Sequence, residues 1–480
     1  MKTPVLVLLL ACLLGAGCAV GPDFHRPAAP DDRSYTAQPT TSTATADSKA
    51  QQFVEGGNVA GKWWEVMHSP PLDEIVDTAV RDNPGLESAR ATLRRSQDSL
   101  RAGYGVFFPQ LDGKVGASRQ LYNAAPGALP SSTFNLFSLS GTVSYGLDIW
   151  GGERRQVEGQ RAGVDAQRYT VAATYVILTS NVIDAIIAQA AYRDEIDVTK
   201  ATVALLGEQV RIAKAQVVAG TSPYANVLTL QSQMASTEAT LAPLEEKIDQ
   251  AADLLAALTG KTPATWKQPI IALSDLQLPE ELPLSVPSRL VRQRPDVLIA
   301  EAELHAANAS IGVATAAMLP NVTLSAGYGT GNTVLGGLFD PASAAWNVGA
   351  GLTQPIFHGG SLYYQRKAAI DARDESAADY RQTVLGAFQQ VADTLRGLGH
   401  DADALVAQKE AVDAAERAMG LLQANYQAGI ATYLQMLVAD IQYLQAKLGY
   451  VQVVAQRLQD TVALCVALGG GWWNVPASEG

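Results

Sequence analysis

The stretch GTVSYGLDIWGGERRQ, residues 141–156, changes period partway through. Val143, Tyr145, Leu147 and Ile149 are apolar at every second position, with Thr142, Ser144 and Asp148 between them. A period of two predicts a strand with one apolar face. After Trp150 and the pair Gly151-Gly152 come about 67 residues without a proline, enough for a helix of roughly 100 Å. Its seam recurs every seventh residue at Tyr175, Val182, Gln189, Ile196, Val203, Val210 and Val217. Leu178, Ala185, Tyr192, Leu206 and Ala213 fill the d positions. A seven-residue apolar repeat sustained this far predicts a left-handed coiled coil.

The unit occurs twice. RDNPGLESARATL (81–93) aligns with RQRPDVLIAEAEL (292–304) at an offset of 211, and the same offset carries Pro109 onto Pro320. VVAGTSPY (217–224) meets YQAGIATY (426–433) at an offset of 209, and AALTG (256–260) resembles VALGG (466–470). Landmarks in one order at one spacing indicate an internal duplication. Each copy reads helix, two strands, very long helix, tight turn, helix. In copy one, Leu111, Val115, Ala117 and Leu121 alternate with Gln110, Asp112, Lys114 and Ser118. Copy two offers Val322, Leu324, Ala326 and Tyr328, then Trp346, Val348, Ala350 and Leu352. Its long helix follows Gly359-Gly360 and keeps the seam at Val384, Val391, Leu398, Leu405, Val412, Met419 and Tyr426. Such strands suit a half-buried soluble sheet or a membrane sheet equally. Phe107, Phe108, Trp150 and Phe357 at the strand ends suit an interfacial aromatic girdle or an ordinary core.

The chain starts MKTPVLVLLLACLLGAGCAVGPDF. A basic start at Lys2 and an apolar run from Val5 to Leu14 describe a secretory signal, too short to span a bilayer. Leu14-Gly15-Ala16-Gly17-Cys18 resembles a bacterial lipobox, which implies a diacylglyceryl lipid on Cys18 as the first mature residue. Uncharged Ala19 after it favours the outer membrane, by analogy with lipoprotein sorting. Of three cysteines, Cys12 belongs to the signal and Cys465 stands alone, so no intramolecular disulfide framework forms and Cys465 reads as a small core residue. The segment 171–191 is apolar but carries Asn181, Asp184 and Gln189, which suits a packed helix better than a membrane span.

Other chemistries find no support. A net charge of −12 argues against nucleic acid as partner. His25, His68, His305, His358 and His400 are scattered, without metal-ligand spacing. No nucleophile elbow, phosphate loop or Cys–His arrangement occurs, so neither an enzyme nor a cofactor beyond the lipid is expected. The organisation reads as a signal peptide (1–17), a lipidated extended tether (18–62), a first repeat (63–288), a second repeat (289–471) and a short tail (472–480). The proline-rich stretch 261–288 connects the copies as a belt, and Trp472-Trp473 pack a helix end.

Strand number then sets a constraint. Four antiparallel strands cannot close a membrane barrel, and open edges in lipid cost several kcal/mol per unpaired group. Two chains would make a barrel too tight for a conduit, whereas three leave room for a lumen. The expected fold is therefore a mixed α/β membrane protein: a homotrimeric twelve-stranded outer-membrane β-barrel continued by a long α-helical coiled-coil tunnel into the periplasm.

The lipobox followed by GPDF, KWWEV (62–66), RPDVLIAEAELHAANASIGVATAAMLPNVTLS (294–325), PIFHGG (355–360) and ALGGGWW (467–473) resemble the TolC-like outer membrane factors. They are most similar to the NodT-type lipoproteins of resistance-nodulation-division efflux pumps. That resemblance implies a passive conduit for small toxic compounds, engaged by a periplasmic adaptor (membrane fusion) protein and an inner-membrane pump. A conduit for type I protein secretion shares the architecture, but the lipobox and NodT-like motifs argue against it. A purely structural coiled-coil lipoprotein leaves the alternating strands unexplained.

The two tip turns, Gly220-Thr221-Ser222-Pro223 and Gly429-Ile430-Ala431-Thr432, lie where the adaptor would touch, with Pro223 suited to the first turn of the returning helix. In the resembling family a Tyr-Leu pair follows the second turn, and an Asp and an Arg then constrict the closed pore. Tyr433 and Leu434 match, but Val438 holds the Asp position and Ile441 the Arg position. Asp440 lies about 200° around the helix from Val438. The expected gate is thus an apolar constriction at Leu434 and Val438, i and i+4 on one face. Asp440 is expected to pair with a neighbouring hairpin. The same two apolar side chains would equally suit packing between hairpins.

Overall fold

The computed structural model describes residues 19–38, 41–45, 50–122 and 131–475. In chain order the helices and strands are β1 (Gln52–Glu55), α1 (Pro70–Asp82), α2 (Pro84–Gly103), β2 (Gln110–Tyr122), β3 (Ser132–Leu147) and α3 (Gly152–Val218). The returning segment follows as α4 (Tyr224–Glu238) and α5 (Leu241–Leu258), then β4 (Glu281–Leu284) and the short α6 (Pro287–Leu290). The second copy runs α7 (Pro295–Ala316), β5 (Asn321–Asn332), β6 (Ala344–Thr353), α8 (Ser361–Gln427) and α9 (Tyr433–Ala467). The duplication read from the sequence reappears element by element. Pro84 and Pro295 open α2 and α7, and α3 and α8 are each 67 residues long.

The chain divides into two compact units. One holds Leu93–Gln167, Ile299–Arg381 and the N-terminal residues through Pro27; the other holds Ala28–Thr92, Arg168–Leu298 and Gln382–Gly480. The first is organised by an antiparallel sheet in the order β2-β3-β5-β6. Its register aligns Leu111, Val143, Ala326 and Val348 in one cross-strand row, with Gly113, Gly141, Tyr328 and Trp346 in the next row on that face. The other face carries Gln110, Ser144, Ser325 and Gly349, then Asp112, Thr142, Gly327 and Asn347. Both faces are open along the edge strands, the apolar one included: Leu111 is 75 % exposed, Val115 83 %, Trp346 76 % and Val348 74 %. Edges β2 and β6 have no strand beside them among the described residues.

Strand β3 differs from its sequence reading at both ends. It starts at Ser132, upstream of the alternating run, where Phe134 and Leu136 put apolar side chains on the polar face and blur the period. It stops at Leu147, so Asp148 is no strand residue. The Asp148 carboxylate instead accepts from the backbone N–H of Glu153 (3.1 Å) and Arg154 (3.0 Å), satisfying orphan donors at the start of α3. Trp150 Nε1 donates to the carbonyl of Pro320 at 2.8 Å, tying copy one to copy two where the strands end. Phe108 and Phe357 are exposed at the same end, as a girdle requires, while Phe107 and Trp150 are half-buried.

The second unit has the buried core. The heptad residues Val182, Ile196, Leu206, Val391, Leu398 and Leu405 are all buried. Although α3 is apolar enough to span a membrane, 61 % of its apolar window is covered by protein. Gln189 there accepts from Gln268 Nε2 at 2.7 Å, which brings the proline-rich connector against the helix. Cys465 is a free, buried thiol, pushed up to about 12 by burial. Trp472 Nε1 donates to the Gln293 carbonyl (2.8 Å) and its ring meets Tyr169 edge-on, so the tryptophan pair closes a helix end as expected. β1 and β4 form a small parallel pair, with Phe53 opposite Leu282.

Both copies secure the end of the returning helix in the same way. Asn83, just before Pro84, accepts from the Leu86 N–H (2.9 Å) and donates to the Leu258 carbonyl at the end of α5 (2.8 Å). Arg294, just before Pro295, donates to the Ala467 carbonyl at the end of α9 (2.9 Å), to Asp296 (2.6 Å) and to Gln390 (2.7 Å). Helix C-termini expose such carbonyls, and a donor there satisfies them. The returning helices themselves differ. α9 is continuous, whereas copy one breaks at Ala239-Thr240, because Pro243 has no N–H for the Ala239 carbonyl.

The caps differ in charge and burial, so their loss should differ in size. Arg294→Ala should cost about 2–3 kcal/mol and Asn83→Ala about 1 kcal/mol, read from urea unfolding of the solubilised protein. Equal losses at the two positions would contradict this ranking.

Candidate functional site

Two regions bear on function. The first is the polar face of the sheet. Along β2, β3, β5 and β6 it presents mostly serine, threonine, asparagine, glutamine and glycine, with Phe134 and Leu136 toward one end and Asp112 and Lys114 as its charged residues. One face apolar and open, the other polar, is the arrangement of a membrane wall bordering a lumen.

The segment that follows Cys18 is bound to the same unit; Cys18 itself lies outside the described residues. The Val20 N–H donates to the Trp150 carbonyl at 2.9 Å, and Asn308 Nδ2 donates to the Pro22 carbonyl at 2.9 Å. Arg155, its side chain nearly covered, donates to Asp23 at 2.6 Å and to Glu158 at 2.8 Å. The Arg155 guanidinium holds the Asp23 carboxyl below its ordinary value. His305 hydrogen-bonds Glu158 at 2.8 Å, and the Phe24 ring stacks on it at 4.2 Å. Gly312 makes room for the strap: a Cβ there would sit 2.8 Å from the Val20 carbonyl oxygen. The expected tether is thus a docked strap over Ala19–Arg26, held by Arg155 and by His305, Asn308 and Gly312 of the quoted 294–325 stretch. Among the described residues no histidine, cysteine or acidic cluster could hold a metal.

The second region is the pair of tip turns. In copy one Gly220 takes φ +73 and the Thr221 N–H reaches back to the Gln216 carbonyl (2.9 Å). In copy two Gly429 takes φ +76 and the Ile430 N–H reaches the Asn425 carbonyl (2.8 Å). Both are glycine-closed helix ends, where a left-handed residue lets the chain turn sharply. Pro223 sits one residue earlier than the sequence suggested, as the N-cap of α4 with extended backbone. Ser222 accepts from Asn226 Nδ2 at 3.0 Å, while Ala431 is half-buried and Ile430 exposed. Thr432 caps α9 through a reciprocal box with Gln435, which the sequence reading missed although T-x-x-Q spells it.

Leu437 and Ile441 are buried, Leu434 is half-buried and Val438 is 48 % exposed. Of the two candidate gate residues, Val438 is the open one, and Leu434 lies i,i+7 from buried Ile441. Asp440 is half-buried, burial raises its carboxyl above the usual value, and it makes no ion pair among the described residues. Tyr433 is engaged elsewhere. Its hydroxyl is raised above its ordinary value by burial and then by the charge of nearby Glu208 of α3, and its ring lies 5.3 Å from that of Tyr426 on α8. Arg211 grips Glu208 with its Nε at 2.7 Å and a second bond from Nη2, which holds that carboxyl below its ordinary value. Sequence reasoning missed Glu208 and Arg211. Their i,i+3 spacing was visible, but nothing local connects them to a tyrosine in the other copy.

The sequence model of the outer membrane efflux protein family matches residues 75–261 and 286–470. The chain is 29 % identical to the pyoverdine export outer membrane protein OpmQ of Pseudomonas aeruginosa, over 98 % of both chains. It is 26 % identical to the probable outer membrane lipoprotein SilC of Salmonella typhimurium, over 95 % of this chain and 96 % of that one. Among solved structures, the outer-membrane channel OprN is similar with a TM-score of 0.83 at 25 % identity, covering 95 % of this chain and 100 % of that one.

The docked strap makes a prediction for proteolysis. The Phe24 ring is stacked on His305 at 4.2 Å, so the Phe24–His25 bond should resist chymotrypsin in the native protein. His305→Ala combined with Arg155→Ala should expose it, so that mass analysis finds cleavage after Phe24 with the sheet intact. Equal cleavage in the parent protein would refute the strap.

Proposed function

We propose, from the premise that this chain belongs to the outer membrane efflux protein family, that three copies join their sheets edge to edge into one barrel. The protein is an outer membrane component of an efflux system and works as a conduit. The observation that carries the trimer is the four-stranded sheet, with two unpaired edges and an exposed apolar face. In hydrocarbon those edges must be paired, and further copies of the same edges are complementary by construction. The polar faces with Asp112 and Lys114 then line the lumen. Lipid on Cys18 adds a second hold on the outer membrane, next to the strap over Ala19–Arg26.

The remaining assignments follow from the family reading. The turns Gly220-Thr221-Ser222-Pro223 and Gly429-Ile430-Ala431-Thr432 meet a periplasmic adaptor protein, which links the conduit to an inner-membrane pump of the resistance-nodulation-division class. The cargo class is small toxic compounds delivered by that pump. At the tip, Leu434 and Val438 form an apolar constriction, and the Tyr433–Glu208–Arg211 contact holds the second hairpin against α3. The exposed position of Val438 on α9 supports this over a purely internal packing role.

Conductance in planar bilayers tests the gate. Leu434→Ser with Val438→Ser should raise conductance several-fold. Tyr433→Phe should increase the open fraction without changing the size of the open state. Asp440→Asn should leave ion selectivity nearly unchanged. If Asp440→Asn abolishes cation preference while the double serine variant conducts like the parent, the constriction is polar and the assignment to Leu434 and Val438 is wrong.

A further inference from the structure

Three carboxylic acids from three helices converge in the second unit: Asp184 on α3, Asp401 on α8 and Asp460 on α9. Asp460 and Asp401 face each other within hydrogen-bonding reach. The approach is made possible by Gly397, one turn before Asp401, where a Cβ would sit 3.1 Å from Asp460 Oδ2. Gln456 Nε2 donates to Asp460 Oδ1 at 3.2 Å. One oxygen of Asp184 and one of Asp401 are buried without a hydrogen-bond partner among the described residues.

The cation of the cluster is Arg457, which is 1 % exposed. Its Nε donates to Gln51 and its Nη2 to Thr43, each at 3.1 Å, while Nη1 is buried without a partner among the described residues. Gln51 also donates to Thr461 at 3.0 Å. Among the described residues, Asp184, Asp401, Asp460 and Arg457 are the charged groups of the cluster, and the N-terminal segment contributes neutral Thr43 and Gln51. Three acids face one arginine that is already committed to two neutral partners. Among the described residues no set of acids is arranged to take a metal ion.

We propose that Asp401 and Asp460 share one proton, a carboxyl donating to a carboxylate, and that this proton clips α8 to α9 in the hairpin that carries the second tip turn. Two half-buried carboxylates in contact resist ionising together, because their repulsion and partly lost solvation favour the neutral form of one. Removing the proton leaves like charges opposed across the helix pair with Arg457 as their compensation. The device belongs to the helices and operates whatever the conduit carries.

The direction of the pH effect follows from the two states. Burial, then the hydrogen bond and charge of Asp460, push Asp401 up to about 7, against 3.8 in the unfolded chain. Burial, then the charge of Asp460, push Asp184 up to about 7 as well. A group with a raised folded value takes up a proton on folding between those limits. Its contribution is therefore present at low pH and is lost as pH rises through about 7.

Hydrogen exchange on the full-length protein in detergent reads the clip locally. After correction for intrinsic pH dependence, amides of 397–404 and 456–462 should open about tenfold or more faster at pH 8 than at pH 6. In an Asp184→Asn background, Asp401→Asn and Asp460→Asn should each remove that excess, and the two together should behave like either one. Infrared spectroscopy gives a second readout should a variant assemble poorly. In an Asp184→Asn background the protein should show a protonated carboxyl band at pH 6 that disappears by pH 9 and is weakened by Asp460→Asn. Exchange that is independent of pH in the parent, additive effects of the two variants, or an unchanged infrared band in Asp460→Asn would each overturn the proposal.

Discussion

An unpaired strand edge cannot rest in hydrocarbon, and the structure is arranged around that constraint. The sheet β2-β3-β5-β6 ends in two open edges, and its apolar rows, Leu111 to Val348 and Tyr328 to Trp346, face outward. In water such a surface would invite aggregation. In a bilayer the same surface is solvated by lipid, and the edges become the joints between copies. The polar face answers from the other side, because serine, threonine and glycine can border water without filling the lumen.

The duplication meets the same problems twice with different residues. Asn83 and Arg294 both reach the last carbonyls of a returning helix, one with an amide and the other with a guanidinium. Gly220 and Gly429 both supply the left-handed residue that ends a 67-residue helix. Where the copies diverge, the divergence has a local cause. Pro243 splits the first returning helix, and α9 runs unbroken through the equivalent Gln452. The unbroken helix carries Leu434, Val438, Arg457 and Asp460. The candidate gate and one acid of the cluster therefore lie on one continuous helix.

Much of this was legible in the sequence because it depends on short-range patterns. Alternation at Val143, Tyr145 and Leu147 marks a strand wherever that strand ends up, and the heptads from Tyr175 onward mark a helix. The glycines at the turns are local necessities too. What could not be read is what brings distant residues together. Nothing near Tyr433 announces Glu208, and nothing near Phe24 announces His305. The four-residue strands β1 and β4 pair across more than two hundred residues, one of them through Pro283, too short and irregular for periodicity to detect. Asp148 shows the opposite failure: its place in the alternation was real, but helix capping claimed it instead.

The central claim is that one chain cannot complete the membrane wall and that three can. Native mass measurement of the mature, lipidated protein in mild detergent tests it most directly. The account predicts a species at three times the mass of one chain, which persists at dilutions where nonspecific association is lost. A stable, folded monomer with a closed barrel would contradict it.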